Sequence, residues 1–291
     1  MDQRYVFFPI KNINWDSTYL HYKNQVTNGM SNPELFSVIG NMLQTLKDGH
    51  VSLSCDFDTS TYEGFYELHL PNFNYNNIVN NYLKNDFQSN GPFVFKIAGD
   101  LGYIYYGSFD AGFTDTMLDS MLSVMKNTKG LIIDVRNNVG GIVENADKIF
   151  QRFLSEKKLV KYEGIKQGKT HDDFSDPIPY YLSPKGYHYS KPICVLTNRK
   201  CFSSCNDFVM YMSKLSNVKV IGDTTGGGGG IPAEYILANG WRLQYTATVT
   251  LSPLKNFIEN GIAPLIAINI TSIEEANGID PILDKAIKLL Q

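Results

Sequence analysis

From Phe93 onward the chain alternates short apolar runs with segments of helical period, and this alternation constrains the fold more than any other feature. The runs are FVFKIAG, LGYIYYGSF, GLIIDVR, PICVLTN and VKVIG, interspersed with helical patterns through 115–127, 143–155 and 204–214. Runs this apolar are buried on both faces, and strands that alternate with helices return parallel to one another. An α/β fold with a mostly parallel βαβ sheet is therefore expected. EYILANG and RLQYTATVTL are two further strand candidates, joined at Asn239-Gly240, a strong hairpin signal. A last helix is expected from about Pro281 to Leu290, capped by Asp280 with proline in its first turn.

Before Phe93 the pattern changes. Leu35, Ile39, Met42, Leu43 and Leu46 recur at helical spacing after the helix start Ser31-Asn32-Pro33-Glu34, which predicts a small helical cap. Residues 51–92 are rich in Asn, Asp, Tyr and Ser, with one alternating stretch (Tyr66, Leu68, Leu70) that predicts a strand among irregular loops. These shifts divide the chain into an N-terminal helical subdomain (1–50), a linker and strand region (51–92) and a main domain (93–291).

A chain of 291 residues, 43% of them hydrophobic, is large enough to bury a substantial core. Its net charge of -3 offers no basic footprint for nucleic acid or for an anionic membrane surface, so a peptide-like partner fits better. No apolar run approaches the roughly 20 residues that span a bilayer, so stable membrane insertion is not expected. The first residues lack the pattern of an export leader, which leaves a cytosolic chain or one whose leader has been trimmed. The four cysteines show no paired metal-ligand spacing, and Cys201 and Cys205 are expected as buried free thiols rather than a disulfide.

Three segments can carry chemistry. In PICVLTNRKCFSSCNDFVMYM a strand turns into a helix at Ser203-Ser204, where a hydroxyl meets unpaired amides and the positive end of the helix dipole. Either serine can equally be a plain helix cap. In GLIIDVRNNVGG, Gly140 and Gly141 follow a buried strand and suit an oxyanion hole or an ordinary turn, with Asp134, Arg136, Asn137 and Asn138 as a polar network beneath. In LKDGHVSL, His50 stands at an element boundary where a histidine is either a base facing a cleft or an ordinary surface or core residue. The run Gly226–Gly230 lacks the lysine of a phosphate-binding loop and reads as a flexible cleft wall or a simple loop.

Taken in order, LKDGHVSL, GYIYYGSF, GLIIDVRNNVGG, VLTNRKCFSSCNDF, VIGDTTGGGGG and FIENGIAP resemble the S41 serine peptidases, which include the C-terminal-processing proteases, the tricorn core protease and retinoid-binding-protein-like relatives. The resemblance implies a ClpP/crotonase-like catalytic core over 93–291 and a peptide or protein substrate, with no metal or organic cofactor. No lysine lies between Lys219 and Lys255, so the serine–lysine dyad of the processing branch has no candidate, whereas His50 and Glu259 match the tricorn-like branch. By this resemblance Ser203 is the nucleophile, His50 its general base and Glu259 the group that orients the histidine. Gly140 together with Ser204 would form the oxyanion hole, with Gly141 as an additional candidate donor, and Gly227 and Gly228 would contact substrate. Gly49, Asn206 and Leu265 depart from the family pattern, and the roughly 50 residues after His50 leave no room for a PDZ domain. The segment 160–190, with Tyr162, Pro177, Pro179, Tyr180 and Tyr181, is a candidate wall for an extended peptide. The alternatives are a catalytically weak protein of this fold that binds a peptide or apolar ligand, and an esterase or amidase acting on a small substrate. Family habit places such a protein in the periplasm or at the cell surface.

Overall fold

In the computed structural model, which describes residues 1–291, the run GLIID forms the strand Gly130–Asp134 at the centre of a seven-stranded sheet. The strand order across the sheet is Ile266–Ala267, Val218–Gly222, Ile193–Thr197, Gly130–Asp134, Leu101–Tyr106, Phe93–Ala98 and Gln88–Asn90. The first five run parallel, and the last two extend the sheet antiparallel. Alternate side chains of the central strands enter different cores. Leu131, Ile133 and Val195 pack with Leu122, Ile149 and Phe208 from three helices, while Ile132, Cys194 and Leu196 pack with Ile282, Leu283 and Ala286 from the last helix, Pro281–Leu290. Covering both faces is why the strands carry no polar alternation, and each such buried aliphatic side chain contributes about 1.5–3 kcal/mol.

Contacts along the chain define two units. One comprises Tyr66–Val160, Tyr180–Gly229 and Ile258–Gln291, and contains this sheet; the other comprises Met1–Phe65, Lys161–Pro179 and Gly230–Phe257. In the second unit, strands Pro232–Ile236, Arg242–Thr246, Ser52–Ser54 and Thr59–Thr61 form an antiparallel sheet in that order. Its core gathers Phe36, Leu43, Leu46, Leu53, Trp241 and Leu243. Helix Asn32–Gln44 begins in a capping box, where Ser31 Oγ accepts from Glu34 N–H and the Glu34 carboxylate accepts from Ser31 N–H. The expected hairpin closes around Asn239-Gly240, with Gly240 at φ +86°.

Some local expectations give way. The Tyr66–Leu70 stretch forms no strand: Tyr66 lies in the helical turn Gly64–Glu67, and Leu68 and Leu70 are exposed, because no neighbouring strand offers them a partner. RLQYTATVTL breaks at Ala247, so that Arg242–Thr246 stays in the four-stranded sheet and Thr248–Leu251 pairs with residues 162–165. The boundaries drawn near residues 50 and 92 do not coincide with the units, because Ser52–Ser54 pairs with Arg242–Gln244 from the far end of the chain. No helix is long and apolar enough to cross a membrane.

Candidate active site

Three neighbouring parallel strands, Gly130–Asp134, Ile193–Thr197 and Val218–Gly222, end in register, with Asp134 opposite Leu196 and Thr197 opposite Gly222. The loops that follow them therefore leave the same edge of the sheet side by side, which is where open α/β sheets place their sites. These three loops carry Gly140-Gly141, Ser203 and the glycine run.

Ser203 stands immediately before helix Ser204–Met212, with φ +56° and ψ -125°. An L-residue adopts this conformation at a cost of roughly 1–3 kcal/mol, and it persists only where surrounding bonds enforce it. Those bonds are present: Ser203 N–H donates to Gly227 O at 2.9 Å, Phe202 N–H to Asn138 O at 3.2 Å and Gly226 N–H to Cys201 O at 2.8 Å. The Ser203 hydroxyl makes no capping bond to the helix, so the reading of this serine as a helix cap does not hold. A sharp strand-to-helix turn that projects a serine is the geometry of a nucleophile elbow.

Gly140 lies against this turn. A Cβ placed on it would fall 2.6 Å from Phe202 O, 2.8 Å from Ser203 Cβ and 3.1 Å from Ser204 N, and its φ is +98°, so only glycine fits. Its N–H donates to Asn138 Oδ1 at 3.0 Å and its carbonyl accepts from Phe109 N–H at 2.9 Å. Because N–H and C=O point oppositely across a trans peptide, the Gly141 N–H is directed away from Phe109. Ser204 is the first residue of its helix, so its N–H has no acceptor within the helix.

The glycine run is close-packed, which corrects its reading as a flexible wall. A Cβ on Gly227 would meet the Glu259 carbonyl oxygen at 1.8 Å, and one on Gly228 would meet the Phe202 ring at 2.6 Å. Gly229 N–H donates to Glu259 Oε2 at 2.9 Å, and Glu259 is buried. Asn206, in the first turn of helix Ser204–Met212, holds the segment that carries this carboxylate. Its Nδ2 donates to Ile258 O at 3.1 Å, and its Oδ1 accepts from Thr225 Oγ1 at 2.6 Å, which in turn accepts from Ile262 N–H at 2.6 Å. Asn206 was legible only as a departure from the family pattern; its clamp requires partners 19 and 52 residues away.

Beneath the loops, the expected polar network forms around Arg136. Its guanidinium binds Asp134 Oδ2 at 2.6 Å and Asp280 Oδ2 at 2.7 Å, and Tyr103 donates to Asp134. Asn137 N–H and Asn198 Oδ1 tie the first loop to the second at 2.9 Å. Cys201 and Cys205 are free, fully buried thiols. Burial, then the neighbouring Cys201, pushes the Cys205 thiol well above its ordinary range, which argues against Cys205 as a thiolate nucleophile.

His50 belongs to the other unit. It follows helix Asn32–Gln44 through a turn in which Lys47 takes φ +49°. Its backbone N–H donates to Asp48 Oδ1 at 2.8 Å, its carbonyl accepts from Gln244 Nε2 at 3.1 Å, and Thr246 Oγ1 donates to Asp48 Oδ2 at 2.8 Å. Burial lowers the imidazole pKa below its ordinary value, with Asp48 opposing that shift and Lys11 reinforcing it. The buried ring is therefore neutral at pH 7, as a proton acceptor must be.

The profile of peptidase family S41 matches residues 100–268, and that of the tricorn protease C1 domain matches residues 1–44. Over 100% of its length the chain is similar to a candidate peptidase from Parabacteroides merdae, with 43% identity, a TM-score of 0.95 and 93% of that chain covered. A mutant of CPAF shares the fold at 14% identity, with a TM-score of 0.73 over 99% of this chain and 95% of that one. The carboxy-terminal processing protease CtpB of Bacillus subtilis is 24% identical over 176 residues, 60% of this chain and 35% of its own length. A CtpA-like serine protease of Staphylococcus aureus is 26% identical over 188 residues, 64% of this chain and 36% of its own. The chain thus spans about a third of the length of these curated relatives.

Proposed function

The chain belongs to peptidase family S41, and from that premise we propose that it hydrolyses peptide bonds through an acyl-enzyme, with Ser203 as nucleophile, His50 as general base and Glu259 as the carboxylate that orients the histidine. The observation that carries this reading is the backbone of Ser203, strained at φ +56° with its hydroxyl released from helix capping.

In the proposed reaction His50 removes the Ser203 proton as Oγ attacks the substrate carbonyl carbon. The developing oxyanion accepts hydrogen bonds from Ser204 N–H and Gly141 N–H; of the two glycine amides, that of Gly140 is already engaged by Asn138. The protonated His50 then gives its proton to the leaving amine, and a water attacks the acyl-enzyme with His50 again as base. Glu259 stabilises the imidazolium formed at each stage. Gly227 and Gly228, packed beside Ser203 and Phe202, are assigned to the main chain of an extended peptide.

Fluorophosphonate labelling followed by mass spectrometry tests the assignment. Wild type is expected to gain one adduct on Ser203, while Ser203→Ala gains none and loses on the order of 10⁶-fold in kcat. Absence of labelling in both proteins, or equal labelling of both, would sink the enzyme reading in favour of a ligand-binding member of the fold.

A further inference from the structure

One buried carboxylate fastens the loop that carries the proposed base, and we infer that Asp48 is the positioning residue that holds His50 ready for proton transfer and stabilises its cationic form. The inference rests on the reading of His50 as the base.

Asp48 is 1% exposed, and its two oxygens have separate tasks. Oδ1 takes the His50 backbone N–H at 2.8 Å, closing an Asx turn, and Oδ2 takes the hydroxyl of the fully buried Thr246 at 2.8 Å. The Asp48 carbonyl accepts from Val51 N–H at 3.0 Å, and Gln244 binds the His50 carbonyl, so every residue from 48 to 51 except Gly49 has a backbone or side-chain anchor in this unit. Strand Arg242–Thr246 supplies both Gln244 and Thr246, and that strand is paired on both sides within its sheet. The histidine thus inherits the rigidity of a sheet although it sits on a loop.

A neutral asparagine could make either bond, and a buried carboxylate costs several kcal/mol more to desolvate. A charge kept in such a place calls for a counter-charge, and the imidazolium that forms when His50 accepts a proton supplies one, since Asp48 acts on that ring electrostatically. The charged groups bearing on the ring are Asp48 and Lys11 of the helical turn Phe8–Lys11, which acts in the opposite sense. Lys11 Nζ donates to the Lys47 carbonyl at 2.9 Å, at the start of the same loop.

The test follows the His50 ring and the Asp48 carboxyl carbon by NMR across pH, with the kcat/KM–pH profile measured in parallel. In wild type the Asp48 carboxyl signal is expected to respond at the His50 midpoint; a carboxyl silent through that midpoint overturns the proposal without any variant. Asp48→Asn keeps an acceptor for His50 N–H but removes the charge. Its His50 titration and the acid limb of its profile are expected at lower pH than in wild type, and coincidence of both with wild type overturns the proposal. Thr246→Val loosens the anchor and keeps the charge, so its rate is expected to fall by about 100-fold with the acid limb unmoved. A wild-type rate for this variant removes the positioning half of the claim. His50→Gln separates this inference from its premise: full activity there refutes the base assignment, while the NMR titrations still report whether Asp48 acts on the ring.

Discussion

The conformation of Ser203 opposes stability. Replacing it by glycine releases the positive-φ strain at the expense of a looser unfolded chain, so Ser203→Gly is expected to raise stability by about 1 kcal/mol in thermal denaturation. Ser203→Ala, which keeps the Cβ, is expected to show no comparable gain, and equal Tm values for the two variants would mean that the strain is absent. The same scale sets the pH response. Burial holds His50 below its ordinary value of 6.5, and the proposed base acts in its unprotonated form, so the acid limb of kcat/KM is expected at a pH below 6.5. A limb above that value would show that the proton is accepted elsewhere.

Between elements, helix Ser204–Met212 and the segment that carries Glu259 are joined through Asn206. Asn206→Leu leaves the Ile258 carbonyl and the Thr225 hydroxyl without this partner, and is expected to cost roughly 1–3 kcal/mol in chemical denaturation as well as slowing hydrolysis. Asn206→Asp restores an acceptor for Thr225 but no donor for Ile258, so only partial recovery is expected. Much of this level was legible beforehand. The strands GLIID and ICVLT announce themselves because both faces are apolar, and Pro281–Leu290 because Asp280 and Pro281 mark its start. What remained hidden depends on distant partners. Asp48 looks like an ordinary loop acid until Thr246, 198 residues later, is seen to bind it. The Ser203 backbone is set by Gly227, and composition alone made the glycine run look loose because it says nothing of what lies against each glycine. Tyr66, Leu68 and Leu70 misled for the opposite reason, since alternation without a neighbouring strand forms no sheet.

For the whole molecule, each unit is assembled from three separated stretches of chain. Strand Ser52–Ser54 is paired on one side with Arg242–Gln244, so residues 1–65 by themselves lack the centre of their sheet. A fragment of residues 1–65, and one of residues 93–291 cut at the boundary that composition suggests, are both expected to fail to fold, read as the loss of a cooperative thermal transition by circular dichroism. A sharp transition in either fragment would contradict this division. The tight fit of the pentaglycine limits the routes by which such a scaffold can diversify. A lysine grafted at Gly227 or Gly228 in imitation of the dyad enzymes would have no volume to enter, since a backbone carbonyl blocks one position and an aromatic ring the other. Redesign toward that chemistry would have to begin by rebuilding the 258–262 segment for Gly227, or by moving the Phe202 ring for Gly228, so no single substitution reaches it.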